Sequence, residues 1–185
     1  MIVQDISEVK KIAKARSRTY LWYTAFSVGK LLDEIRGQHF PQVPPGIEVC
    51  AVDRGSLACI CDDPGGATIY VHQLLNHSDT PIEVFQSIHK HELLHLVFPP
   101  REIEGMTRMH PPEFWEAERV LCPERRIAWE WLWYNLSDCL KRRPRLERLD
   151  VLGCWKKVWS RPKSSIEEVR GLFDKSKAPE EEYGW

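Results

Sequence analysis

Residues 91–95 read His-Glu-Leu-Leu-His, two imidazoles four positions apart with a carboxylate directly after the first. On a helix, positions i and i+4 lie on one face a turn apart, so both imidazoles can reach one ion. Glu92 stands one step round the helix. There its carboxylate can take a proton from water beside a metal without binding the metal itself. Zinc suits such a site, because it is a Lewis acid without redox chemistry and accepts three protein ligands with a fourth position open. The chemistry implied is hydrolysis assisted by one zinc ion, with Glu92 as catalytic base.

A third ligand decides the kind of site. A histidine six residues after His95 is excluded, because position 101 is Arg101. Two choices remain. One is a downstream glutamate, for which Glu113, Glu116 and Glu118 are suitably spaced. The other is His110, fifteen residues after His95 in Met-His-Pro-Pro-Glu-Phe-Trp. Ligating histidines usually donate their second N–H to a carboxylate or carbonyl, and Glu113 and Glu116, about a turn beyond His110, are the acids expected in that role.

These residues need a framework. Thr80-Pro81-Ile82-Glu83 reads as a capping box with proline at the first helical position, opening a helix that runs to about Phe98 and ends at Pro99-Pro100. Val84 and Ile88 fall near the His91–His95 face, which should therefore turn towards the protein. His89 projects to another face and is expected at the surface or just behind the ligands. Upstream, residues 5–36 read as helical. The segments 47–51, 57–60 and 68–71 read as strands, with Asp-Asp-Pro-Gly-Gly as the turn before the last. Residues 99–109 read as a loop or short strand pair. Helices are expected over 110–121 and, after Pro123, over 124–141. Ser164 or Ser165 can cap a last one. The fold class expected is α+β: an N-terminal helix, a small antiparallel sheet of about three strands, the motif helix packed on it, and C-terminal helices.

The 185 residues carry 43% hydrophobic and 29% charged side chains at a net charge of −1, the profile of a folded chain with no whole-molecule pull towards polyanions. The first twenty residues lack the apolar core of a secretory signal, and no apolar run is long enough for a bilayer, so a cytoplasmic protein without membrane contact is expected. Charge is uneven, however. Between Lys141 and Lys163 nine Lys or Arg face two acids. Lys141, Arg142, Arg143, Arg145, Arg148, Lys156 and Lys157 are the residues expected to meet phosphates if this stretch contacts DNA. Trp129, Trp131, Trp133 and Tyr134 precede it and serve either as packing or as a platform for unpaired bases.

His-Glu-Leu-Leu-His, fourteen residues, then His-Pro-Pro-Glu-Phe-Trp resembles the SprT-like zinc metalloprotease domain, a minimal gluzincin that includes the Spartan-type DNA–protein crosslink proteases. The strand and spacer ahead of the motif helix match that arrangement too. The YgjP-like metallopeptidases are similar. The resemblance implies His91, His95 and His110 as the ligands of one zinc ion, Glu92 as the base, and a protein or peptide substrate, in a DNA context if the basic stretch serves it. It spans roughly residues 18–122 and is specific around 68–116. A paired-cysteine ribbon, frequent in that family, is missing from these 185 residues. The domain organisation expected is a metallopeptidase core over 1–122, a helical, Trp-rich and basic extension over 123–175 packed on it, and a flexible tail over 176–185. The alternative from another class is a catalytically inactive zinc-binding or DNA-binding module on the same scaffold.

Overall fold

The computed structural model describes residues 18–63, 66–144 and 147–173. The fold is α+β. Ser27 opens α1 (Val28–His39), its Oγ accepting from the Lys30 N–H, and Val28, Leu31, Leu32 and Ile35 form the buried stripe that helical spacing dictates. This helix starts far later than expected. Residues 20–27 are not helical, and residues 5–17 lie outside the described residues. The reason is packing: Trp22 and Phe26 both set their rings edge-on to Phe85, at 5.6 and 5.4 Å. Asn76 then satisfies the extended backbone, accepting from the Tyr23 N–H at 2.6 Å and donating to the Leu21 carbonyl at 3.0 Å.

The expected strands appear as β2 (Glu48–Val52), β3 (Ala58–Asp63) and β4 (Gly66–His72), joined by a two-residue β1 (Arg18–Thr19). The sheet order is β1-β2-β4-β3, with β4 antiparallel to β3 but parallel to β2. The chain runs from β2 to the far edge and turns back through β4, which fills the middle. Val49, Ile60, Ile69 and Val71 bury the inner face.

Against this sheet lies α2 (Ile82–Val97), the motif helix, with Val84, Phe85, Ile88, Leu93 and Leu94 all buried. The capping box does not form: Pro81 is the cap residue, and the Thr80 hydroxyl is buried without a hydrogen-bond partner. After Pro99-Pro100 a small hairpin follows, β5 (Arg101–Ile103) and β6 (Met106–Arg108), turning through Glu104 and Gly105, both at positive φ as a tight hairpin turn requires. Then come α3 (Pro112–Leu121) and α4 (Arg125–Leu136), the latter packed along α2. The expected continuation of α4 to 141 stops at Leu136. Ser137–Cys139 tighten into a 3-10 turn and Leu140 enters a strand.

That strand, β7 (Leu140–Arg143), pairs with β8 (Arg148–Val151). The hairpin docks on the β2–β3 connection through Leu57 N–H to the Leu149 carbonyl at 2.8 Å and Val151 N–H to the Gly55 carbonyl at 3.2 Å. A short α5 (Trp155–Trp159) leads to α6 (Ile166–Phe173). Here a capping box does form: Ser165 Oγ accepts from the Glu168 N–H, and the Glu168 carboxylate accepts from the Ser165 N–H. Trp131, fully buried on α4, donates its indole N–H to the Ser164 carbonyl at 2.8 Å. One apolar core runs from Val28 to Val169. The expected tail over 176–185 lies outside the described residues.

Candidate metal centre

The i, i+4 spacing on α2 brings His91 and His95 together, with ring centroids 5.1 Å apart. His110 arrives from the segment between β6 and α3, its ring 5.0 Å from that of His91 and 4.8 Å from that of His95. One ligand atom from each lies within 4.8 Å of the others, and all three side chains are buried. This is the His91–His95–His110 cluster that the spacing and the resemblance imply.

What surrounds the rings fixes their protons. Glu118, on α3 and wholly buried, places Oε1 2.7 Å from Nδ1 of His91 and Oε2 3.1 Å from Nη1 of Arg125. Glu147, just before β8, places Oε2 3.0 Å from Nδ1 of His110. A carboxylate can only accept, so each Nδ1 is the donor in these bonds, and in the neutral ring Nε2 then presents a lone pair. Those two Nε2 atoms face each other at 3.2 Å. Two unprotonated nitrogens this close repel unless a proton or a metal cation lies between them. An ion holding two nitrogens at 2.0–2.1 Å and a tetrahedral angle sets them about 3.3 Å apart, so the donor set fits zinc. Burial drives the pKa of His91 well below the ordinary imidazole value, helped by the charges of His110 and Arg125. Burial does the same to His95, with His91 and His110 adding to it. The neutral imidazole so favoured is the metal-binding form. Burial alone would push the Glu147 carboxyl up, but the hydrogen bonds and charge of His110, with Arg108 behind them, bring it below its usual value.

Aromatic rings close the space behind. Phe114 is fully buried and touches all three histidines, at 5.0, 4.8 and 4.6 Å from His91, His95 and His110. Trp115 lies tilted against His110 with ring centroids 4.8 Å apart, and Arg125 sits over Trp115 at 5.3 Å. Arg125 therefore supports two of these histidines at once, His91 through Glu118 and His110 through Trp115.

The remaining expected residues divide. Glu92 is buried on α2 beside His91. Glu113 and Glu116 are exposed, and Glu113 is paired with Arg101, whose hydrogen bond holds its carboxyl below the ordinary range. They are displaced as supporting acids by Glu118 and Glu147. His89 is fully buried against Phe85 rather than exposed, and burial lowers its pKa to about 3. Lys141, Arg142, Lys156 and Lys157 are exposed. Arg143 and Arg148 both bind Asp150 at 2.9 Å, which neutralises part of the basic stretch, and Arg145 lies outside the described residues. Trp129, Trp131 and Trp155 are buried, so packing and not base stacking occupies them. None of the described helices is long and apolar enough to cross a membrane.

Sequence reasoning placed Glu118 only among candidate ligands and missed Glu147 and Arg125. Phe114 and Glu118, four apart on α3, carried a readable signal of a shared face. Glu147 is 37 residues from its partner and carried none. No family model, curated protein or solved structure matches this chain.

Proposed function

We propose that this protein is a zinc-dependent metallopeptidase of the SprT-like kind, acting on protein or peptide substrates in the cytoplasm. The observation that carries the reading is the pair of Nε2 atoms facing each other at 3.2 Å, with each Nδ1 beside a carboxylate and His95 close by. His91, His95 and His110 would hold the ion. Zinc supplies a Lewis acid that makes water nucleophilic at neutral pH and polarises a carbonyl. Glu92 follows His91 directly on the helix, so its carboxylate takes the proton that water gives up and passes it to the departing amine. Phe114 and Trp115 close the rear of the site against water. A nucleic-acid context for the substrate is supported only by exposed Lys141, Arg142, Lys156 and Lys157.

Glu92→Gln is the test. Elemental analysis should find one zinc ion per chain in both proteins. Cleavage of casein or histone, with and without DNA, should fall by about 10²–10⁴-fold in the variant. Zinc in both proteins with no cleavage by either points to the non-catalytic module instead. Absence of stoichiometric zinc from the parent overturns the whole reading.

A further inference from the structure

We propose that Glu147 is a positioning residue for His110, so that the hairpin β7–β8 is a working part of the metal centre. This rests on the zinc reading. His91 and His95 are oriented by their own helix, but His110 lies in irregular chain between β6 and Pro111, and no ladder or helical turn sets its angle. Glu147 does so twice with one atom: Oε2 accepts from the backbone N–H of His110 at 3.1 Å and from its Nδ1–H at 3.0 Å. The two bonds fix the main chain and the ring together, and they force the tautomer that leaves Nε2 free. The other oxygen lies 3.9 Å from Arg108, two residues before His110, so one carboxylate holds the whole approach to the ligand.

The backbone around Glu147 is built for this. Its φ is +49°, one of two non-glycine residues at positive φ among those described. The other, Glu104, belongs to a two-residue hairpin turn that demands it, whereas Glu147 closes onto the Pro144 carbonyl at 3.2 Å at the mouth of β8. Left-handed backbone at a residue with a side chain is held only where the surroundings over-determine it. Here β8 supplies that constraint, pinned to residues 55–57 by the Leu149 and Val151 hydrogen bonds. The angle of the third ligand is thereby tied to the central sheet.

The experiment compares Glu147→Gln and Glu147→Ala with the parent in the full chain. Zinc affinity is read by competition with a chelating dye, folding by the melting temperature of the metal-free protein, and ligand geometry by the visible spectrum of the cobalt(II) form. Glutamine keeps an acceptor but loses the charge, and zinc affinity should fall about tenfold; alanine loses both, with a fall approaching 100-fold. The cobalt band should change in both. Parent-like zinc affinity in Glu147→Gln would sink the proposal, even if the alanine chain fails to fold. So would weaker binding that follows lost melting temperature while the cobalt band stays unchanged, since that marks structural support alone. A parent that holds no zinc defeats the underlying reading, a result distinct from either.

Discussion

Replacing Glu118 by glutamine changes no volume and removes one charge, yet the geometry makes it a severe substitution. The carboxylate accepts from Nδ1 of His91 at 2.7 Å through one oxygen and is ion-paired with Arg125 at 3.1 Å through the other, and it is wholly buried. A glutamine amide has one accepting end and one donating end. Whichever way it turns, an NH₂ meets either the His91 N–H or the guanidinium, and the latter loses its counter-charge. A buried polar group left unmatched costs about 1–3 kcal/mol, and a buried ion pair deprived of one partner about 3–5 kcal/mol, so about 3 kcal/mol is expected here. For a chain of this size that is a fall of roughly 6–12 °C in the melting temperature of the metal-free protein. Zinc affinity should drop about 10–100-fold, because the His91 tautomer is no longer enforced. Adding Arg125→Met should restore much of the melting temperature, by removing the stranded charge, but none of the zinc affinity. Chelator competition and thermal melts on the parent, single and double variants decide it. A single variant melting within 2 °C of the parent, with unchanged zinc affinity, would refute the argument that Glu118 orients a ligand.

Three further outcomes are expected. His72 is buried and its Nδ1 accepts from the Leu74 N–H at 3.0 Å; burial lowers its pKa from 6.5 to about 4, outweighing the hydrogen bond and charge of Asp53. Its folded value lies below its unfolded one, so the stability it contributes is complete above pH 6.5 and is lost as pH falls towards 4, by about 3 kcal/mol; urea melts between pH 7.5 and 4.5 should flatten in His72→Asn. Thr80→Val should leave the melting temperature unchanged or raise it, because the hydroxyl is buried without a partner, whereas a working cap would lose about 1 kcal/mol. Phe114→Ala should destabilise by about 3–5 kcal/mol and weaken zinc binding beyond what partial unfolding explains, because the ring backs all three histidines.

Local chemistry made much of this protein legible. The positions of His91, Glu92 and His95 follow from helical periodicity, the ends of α2 and α3 from their prolines, and the Ser165 cap from a three-residue spacing. Each of these interactions spans a turn or two of chain, so neighbouring residue types suffice to determine it. The same logic failed at Thr80, where identical local signals are overridden because tertiary packing buries the hydroxyl. It failed too at residues 20–27, where Phe85 and Asn76 compete successfully for the aromatic rings and the backbone. His110 stood out through its flanking residues, but what orients it did not. Glu118 meets His91 across 27 residues, Glu147 meets His110 across 37, and β4 enters between β2 and β3 to make one pairing parallel. Contacts across such separations depend on how whole elements dock, and no local pattern encodes that. A sequence can thus declare which imidazoles come together; only the packed structure decides which carboxylates meet their Nδ1 atoms, and so which nitrogens turn towards one another.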